Sequence, residues 1–463
     1  MKKEFKVVKE FNELAYKSAD ELIFGKSLYP VTLKNGLQIG GGDVIPELNF
    51  TLPMMTISEE TMPKVLAHYK EIATGALDKA VELQAPAFGM EIEILPPCTW
   101  NPQWGIAVNK TVCDVAKEYE AKHGIKTCVR LTPVDVREGR DLEHMYRGKQ
   151  WEAVLETFRG AGETGADLLA IESIGGKHLH DDALMMCDLP KILFSYDVAC
   201  RDMGLLWEQI VKIADETGSI ASGDTACGYA NTGMVLGNRG LIPRSFAAVD
   251  RVMSAVRTLV AVEAGAVGPD KDCGYEGEYV KAITGTPISM EGRTSACAHS
   301  STVGNIVGSM CDMWSNESVE NNRLLGGMAP TVYAEQLIYD CRMMNTATKL
   351  GKAQELKEIF VESDVALDPH AYVMDPKVVM EISKQIVAVK GDFARLKVAA
   401  AATIEALKKG AAEGKVALAA RDASYLDIMA QSLETVGDDE EAFIADQIKN
   451  NTTAAFVPAQ YDL

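Results

Sequence analysis

The sequence lacks several features that would assign it to a common class of protein. Its ten cysteines include no C-x-x-C pair, which argues against zinc fingers, dithiol redox chemistry and a disulfide framework. It contains no run of about twenty uncharged apolar residues, and its first ten residues alternate charged with apolar side chains instead of forming an apolar signal segment. We therefore expect a cytoplasmic protein that does not cross a membrane.

Positive charge is scarce as well. Acidic residues number 66 against 46 basic ones, the formal net charge is -20, and no lysine- or arginine-rich run is present, so nucleic acid is not an expected partner. No G-x-G-x-x-G follows a predicted strand and no G-x-x-x-x-G-K-[ST] occurs, which excludes the phosphate-binding turns of Rossmann and P-loop proteins. Hydrophobic residues make up 47% of the 463-residue chain and charged residues 24%, which is typical of a globular protein with its own core.

Short apolar runs alternate with longer amphipathic segments from about residue 45 to residue 335, as expected for repeated β-α units. The predicted strands cover residues 48–52, 87–94, 126–131, 168–171, 219–222, 264–267 and 287–290, with an eighth near 328–332. The predicted helices include residues 60–83, 150–165, 205–218 and 245–262. Such repeated units predict an α/β fold, namely a TIM-type (β/α)8 barrel with additional helices.

The chain changes character after about residue 340, where Ala, Lys, Glu and Leu dominate and residues 393–409 form a strong helix candidate. We predict a barrel with an N-terminal extension over residues 1–340 and a helical C-terminal extension over residues 341–463. The extension is expected to cover apolar surface of the barrel, with dimerisation and partner docking as alternatives.

Three polar residues stand where a predicted strand gives way to a turn of small residues. Glu172 follows the apolar run 168–171, and Cys227 and Cys273 are each followed by Gly-Tyr and preceded by an Asp-containing turn segment. In a parallel barrel all three would lie at the carboxyl ends of neighbouring strands, on the face that carries the active sites of such barrels. Two thiolates and one carboxylate make a three-ligand zinc site with an open coordination position, which is typical of a catalytic zinc.

Other residues compete for places in this site. Cys297 is the main alternative as the second thiolate, and His299, two residues later, is an alternative ligand or acid. His178 and His180 have the spacing of a metal-binding pair on an extended segment. We favour an exposed loop for these two histidines, with a helix that starts at Asp181, where an acidic side chain suits the helix dipole.

Four segments give the sequence a specific resemblance. They are EIEILPPCTWNP at residues 91–102, IESIGGK at 171–177, SGDTACGYAN at 222–231 and GPDKDCGYEG at 268–277. In these segments, and over nearly the whole chain, the sequence resembles the zinc-containing subunits of methanol:corrinoid methyltransferases. The resemblance implies a TIM barrel with extra helices and one zinc ion held by one Glu and two Cys, at the positions of Glu172, Cys227 and Cys273.

The resemblance also implies partners and a reaction. The corrinoid-carrying pattern D-x-H-x-x-G is missing, so the corrinoid is expected on a separate corrinoid-binding protein, in a hetero-complex or with homo-oligomers. Zinc would polarise the C–O bond of methanol, and cobalt(I) would attack the methyl carbon in line with that bond. Asp224, Glu276 and His299 are candidate proton donors to the departing oxygen. Two alternatives stay open: a zinc methyltransferase for a methoxylated compound or a thiol, and a non-catalytic scaffold whose zinc has four protein ligands.

Overall fold

The computed structural model describes residues 7–138, 142–224, 228–272, 276–292, 302–318, 323–325 and 327–463. Its strands are β1 (Lys26–Thr32), β2 (Gln38–Gly41), β3 (Ile45–Phe50), β4 (Ala87–Ile94), β5 (Lys126–Pro133), β6 (Leu168–Ile171), β7 (Ile220–Asp224), β8 (Asp270–Asp272), β9 (Ile288–Glu291), β10 (Met313–Ser318), β11 (Arg323–Leu324) and β12 (Gly327–Met328). Its helices are α1 (Met62–Glu82), α2 (Pro96–Trp100), α3 (Pro102–His123), α4 (Lys149–Thr164), α5 (Lys177–Met186), α6 (Leu189–Thr217), α7 (Ala230–Asn238), α8 (Arg244–Ala264), α9 (Gly277–Thr284), α10 (Ala329–Lys349), α11 (Ala353–Asp364), α12 (Pro369–Val373), α13 (Pro376–Ile386), α14 (Asp392–Ala412), α15 (Ala420–Glu434) and α16 (Glu440–Lys449). Short 3-10 helices cover Ala19–Glu21, Ile306–Ser309 and Pro458–Tyr461.

Strands β3 to β10 follow one another around a single parallel sheet, and β10 returns to pair with β3. The ring is completed between β7 and β8, where the amide of Val267 donates to the carbonyl of Ala221 at 3.0 Å. Helices connect most of the strands, so the carboxyl ends of all eight strands lie on one face. The predicted TIM-type barrel is confirmed.

Strand β4 shows how the sequence builds this barrel. All eight of its residues are buried, and Phe88 and Ile92 belong to the apolar core that the helices cover. The alternate residues face the barrel interior, where Glu91 pairs with Lys271 of β8. A strand buried on both faces is expected in a parallel barrel, but here the interior face is charged.

Two of the eight predicted strands are wrong. Residues 264–267 lie at the end of α8 and in the turn after it, and the strand follows later as β8. The last barrel strand is β10, whereas residues 328–332 mostly belong to the start of α10. Both true strands are rich in polar residues and therefore lack the apolar pattern of a buried strand. The other six predictions overlap the observed strands, and 87–94 and 168–171 match their bounds.

Helix α6 illustrates the local signals that set helix ends. The side chain of Asp188 accepts a hydrogen bond from the amide of Lys191 at 3.1 Å, and Pro190 occupies the first turn. Gly218 ends the helix in the left-handed conformation at φ 71°. The predicted helix 205–218 is the second half of this longer helix, whose first half is largely apolar and buried.

The hairpin β1–β2 covers the amino end of the barrel. Val31 and Ile39 of the hairpin pack against the first residues of barrel strands, including Ile45, Ala87 and Leu168. This end is closed by apolar contacts, which leaves the opposite end for polar side chains.

The C-terminal helices pack on the outer surface of the barrel helices, mainly α14 and α15 on α8 and α6. The predicted helix 393–409 is confirmed as α14. Helix α10 crosses the predicted boundary at residue 340, and the division into two parts stays a prediction. None of the helices in the described ranges is long and apolar enough to span a membrane.

Candidate active site

Polar side chains gather at the carboxyl ends of the barrel strands. Asn49, Glu93, Asp224 and Glu317 occupy the last or second-last positions of β3, β4, β7 and β10, and all four are buried. Glu172 follows β6 directly. Because the strands are parallel, these side chains share one face of the barrel.

Glu172 is held in place through its backbone. Its amide donates to the carbonyl of Pro133 and its carbonyl accepts from the amide of Asp135, both at 3.2 Å. The residue is half-buried. Burial, followed by the negative charges of Glu317 and Glu91, raises the pKa of Glu172 to about 8. A cation bound nearby would favour the ionised carboxylate and so lower the pKa of Glu172.

The turn after Glu172 is fixed at several points. The amide of Ile174 donates to Asp135 Oδ2 at 3.2 Å. Tyr229 donates its hydroxyl to the carbonyl of Gly175, and Tyr461 accepts from the amide of Gly176 at 2.9 Å. These contacts with neighbouring strand ends and with the C-terminal segment hold the turn in place and thereby restrict the position of the Glu172 carboxylate.

Asp224 ends β7 and is fully buried. Its Oδ1 accepts from the amide of Ser173 at 3.3 Å, and its Oδ2 pairs with Arg257 Nη1 at 2.6 Å. Burial raises the pKa of Asp224, and the Arg257 guanidinium acts in the opposite direction. Gly223, directly before Asp224, has a φ of 144° and allows Asp270 of β8 to lie close to β7, because a Cβ at this position would overlap the Asp270 carboxylate.

Glu276 precedes α9 and is also buried, with Oε1 accepting from the hydroxyl of Thr258 at 3.2 Å. Its carbonyl accepts from the amide of Tyr279 at 3.0 Å. Glu276 therefore lies on the same side of the barrel as Asp224, following the adjacent strand β8.

Cys227, Cys273 and His299 lie outside the described residues, as does the alternative ligand Cys297. The strands that lead to the first two are described: β7 ends three residues before Cys227, and β8 ends directly before Cys273. Strands β6, β7 and β8 are neighbours in the barrel. Within the described part alone, no three Cys, His, Asp or Glu side chains are grouped closely enough to hold a metal ion.

Among the described residues, buried carboxylates outnumber buried cations in the half of the barrel that contains the carboxyl ends of the strands. Burial, followed by the charges of Glu172, Glu317 and Glu91, raises the pKa of Glu93 well above its ordinary value, although Asn49 donates to Glu93 Oε1 at 2.9 Å. Below this group Lys271 pairs with two buried carboxylates, those of Glu91 and, at 3.1 Å, Glu291. The carboxylate-rich strand ends provide the electrostatic environment that a divalent cation requires.

The expectation of an exposed loop at His178 and His180 is wrong, and so is the helix start at Asp181. Both histidines belong to α5, which begins at Lys177. His180 is fully buried and its Nε2 lies 2.8 Å from Asp250 Oδ1. The ring of His180 packs against Tyr196 and Tyr229, so His180 is a residue of the protein core.

Sequence reasoning missed four buried charged residues that shape the site. Glu93 and Glu317 add carboxylates at the strand ends, Lys271 balances charge below them, and Arg257 joins two turns. Glu93 had a visible signal, because Glu91-Ile-Glu93 places two acids on one face of an apolar strand. Arg257 had none, since it lies within a helix whose contacts depend on the tertiary fold.

The fold and the site together define an enzyme of the α/β-barrel class, with its polar groups at the carboxyl ends of the strands. Residues 8–462 match the family described as methanol-cobalamin methyltransferase B subunit. The chain belongs to this family.

Two relatives agree with this assignment. The chain is 39% identical over 465 residues to the methanol–corrinoid protein co-methyltransferase of Methanosarcina barkeri (strain Fusaro / DSM 804), covering 98% of this chain and 99% of that protein. The crystal structure of the methanol:cobalamin methyltransferase complex MtaBC from Methanosarcina barkeri contains a chain that superposes with a TM-score of 0.93 at 38% identity. The match covers 98% of this chain and 100% of that one.

Proposed function

We propose that this protein transfers the methyl group of methanol to the cobalt(I) of a corrinoid carried by a separate protein, at one zinc ion held by Glu172, Cys227 and Cys273. The observation that carries the proposal is the position of Glu172 directly after β6, next to β7, which leads to Cys227 and is followed around the barrel by β8, which leads to Cys273. The chain matches the family from residue 8 to residue 462.

The donor set suits zinc. Thiolates and a carboxylate are its ordinary ligands, and three of them leave a position for substrate. The Glu172 carboxylate lies among negative charges that favour a cation. When bound, zinc acts as a Lewis acid toward the oxygen of methanol, which makes hydroxide a better leaving group.

The departing oxygen requires a proton, and we propose Asp224, Glu276 or His299 as its source. Both oxygens of Asp224 are engaged, one by Ser173 and one by Arg257. Glu276, which stands directly before α9 on the same side of the barrel, is the first residue to test. Glu93 can also store a proton near the site, because burial favours the neutral form of its carboxyl group.

The corrinoid protein must place cobalt at the open end of the barrel, since the methyl carbon is attacked from the side opposite to its oxygen. Large apolar side chains are exposed in the segments that follow three adjacent strands at this end: Met54 after β3, Trp100 at the end of α2 after β4, and Leu325 between β11 and β12 after β10. We propose that these segments contact the corrinoid-binding partner in a hetero-complex. The complex with a corrinoid subunit is in keeping with that of the Methanosarcina barkeri relative.

A cytoplasmic location completes the proposal. The cysteines that the structure describes carry no disulfide, which suits a reducing compartment.

Methyl transfer to reduced cobalamin tests the function directly. Zinc-loaded protein, methanol and cob(I)alamin, with and without the corrinoid protein, are expected to give the spectrum of methylcob(III)alamin. Cys227→Ala is expected to abolish both zinc binding and turnover, whereas Cys341→Ala, which removes a buried thiol from α10, is the matched control. Full turnover by Cys227→Ala with zinc retained contradicts the ligand assignment, and turnover with a methoxylated compound but not with methanol contradicts the substrate.

A further inference from the structure

Arg257 joins the two turns that follow β6 and β7. It extends from α8, is fully buried, and pairs through Nη1 with Asp224 Oδ2 at 2.6 Å. Its Nη2 donates to the carbonyl of Ser173 at 3.2 Å and also to the Ser173 hydroxyl. One guanidinium therefore contacts both strand ends.

A third contact extends this connection beyond β7. The Arg257 guanidinium carbon lies 4.2 Å from the centre of the Tyr229 ring, and Tyr229 donates its hydroxyl to the carbonyl of Gly175. The amide of Ser173 donates in turn to Asp224 Oδ1 at 3.3 Å. The end of β7 and the turn after β6 are thus joined by the hydrogen bonds that Arg257 donates to both and by two direct hydrogen bonds beside it.

The contacted residues flank two of the proposed zinc ligands. Ser173 follows Glu172 directly, while Asp224 and Tyr229 stand three residues before and two residues after Cys227. We infer that Arg257 is a positioning residue that holds the turn after Glu172 against the end of β7, the strand that leads to Cys227, and thereby sets the affinity of the site for zinc. This inference rests on the proposed function, because it takes both residues as ligands.

The shape of the side chain is essential to this role. The guanidinium is a rigid fork that can donate to a carboxylate and a carbonyl at once, whereas the ammonium of a lysine is a point charge that cannot span the same acceptors. Arg257→Lys keeps the charge opposite Asp224 and removes the fork. Residues that orient metal ligands affect metal affinity by about 10–100-fold when they are changed.

A second buried arginine supplies a matched control. Arg395 of α14 pairs through Nη1 with Glu263 at 2.8 Å and donates through Nη2 to the carbonyl of Phe11 at 2.6 Å. Like Arg257, it is buried and joins a carboxylate to a backbone carbonyl, but it belongs to the outer helical layer. Arg395→Lys therefore reproduces the cost of the substitution away from the barrel end.

The test is the dissociation constant for zinc, measured by competition with a chromogenic chelator on the full-length wild type, Arg257→Lys and Arg395→Lys. Arg257→Lys is expected to bind zinc about 10–100-fold more weakly than the wild type, with an altered visible spectrum of the cobalt(II)-substituted protein, and Arg395→Lys is expected to match the wild type. Unchanged zinc affinity in Arg257→Lys, or an equal loss in Arg395→Lys, overturns the inference.

Asp224→Asn provides a second variant if Arg257→Lys does not fold. It removes the charge that Arg257 pairs with and keeps an oxygen acceptor, so a smaller loss of zinc affinity is expected, and wild-type affinity contradicts the inference. Failure of the proposed function looks different: in that case the wild type itself does not bind one zinc, or binds it equally well after Cys227→Ala.

Discussion

Lys271 is a buried cation that balances several carboxylates inside the barrel, and we expect its removal to destabilise the fold. Its side chain is 1% exposed and pairs with Glu91 and, at 3.1 Å, with Glu291. Burial disfavours its charge, but the carboxylates of Glu91, Glu291 and Glu47 outweigh burial and raise the pKa of Lys271. Removing one partner of a buried ion pair costs about 3–5 kcal/mol, because the remaining charge is buried without compensation.

We therefore expect Lys271→Met, which keeps most of the side-chain volume, to lower the free energy of unfolding by about 3–5 kcal/mol at pH 8. The double variant Lys271→Met/Glu91→Gln should recover part of this loss, since it leaves one buried carboxylate fewer. At pH 5 the loss should shrink, because the stranded carboxylates can take up protons. Urea unfolding followed by tryptophan fluorescence and circular dichroism measures these differences.

A loss smaller than about 1 kcal/mol at pH 8, the size expected for an ordinary substitution, would refute the reasoning. So would a double variant that is less stable than Lys271→Met. Either result would mean that the charged barrel interior does not depend on this lysine.

Three further predictions concern protons and the turn after β6. Burial, followed by the charge of Glu440, raises the pKa of Asp197 from 3.8 to about 7, so the folded state holds this proton more tightly than the unfolded state and stability falls as pH rises between these values. Asp197→Asn should therefore raise the free energy of unfolding at pH 8 by at most ~4 kcal/mol and change it little at pH 4, and an equal effect at both pH values would contradict the cause given. Glu276→Gln should lower kcat for methyl transfer without loss of zinc, as metal analysis of the assayed sample will show, whereas an unchanged kcat rules it out as the proton donor. Tyr461→Phe removes the hydroxyl that accepts from Gly176 and should cost about 1–3 kcal/mol in urea unfolding, while wild-type stability would show that this bond does not hold the turn.

The sequence predicts strands that have at least one apolar face. Residues 168–171 match β6, which is an apolar run, and residues 87–94 match β4, whose outward Phe88 and Ile92 are apolar although its interior face is charged. The sequence does not predict β8 and β10, because β8 reads Asp-Lys-Asp and β10 ends in Ser-Asn-Glu-Ser, and polar residues such as Lys271 are buried there through partners on other strands. A pattern based on local hydrophobicity cannot detect a residue whose burial depends on long-range ion pairs.

The same limit applies to the site. Glu172 stands out in sequence because a carboxylate ends an apolar strand, and the structure places it at the predicted barrel face. The pairing of His180 with Asp250 joins residues seventy positions apart, so a histidine that looks like a loop residue is part of the core. Arg257 acts on the turns through a helix packed outside β7, and no local pattern indicates that contact.

The central claim is a zinc ion with two sulfur ligands, one carboxylate and an open position for methanol. Zinc-edge X-ray absorption of the protein, with and without methanol and after metal analysis, tests it most directly. We expect one zinc per chain with two sulfur and two light-atom neighbours, and a light-atom shell that changes when methanol is added. A protein without zinc, or with four protein ligands that do not respond to methanol, would contradict it.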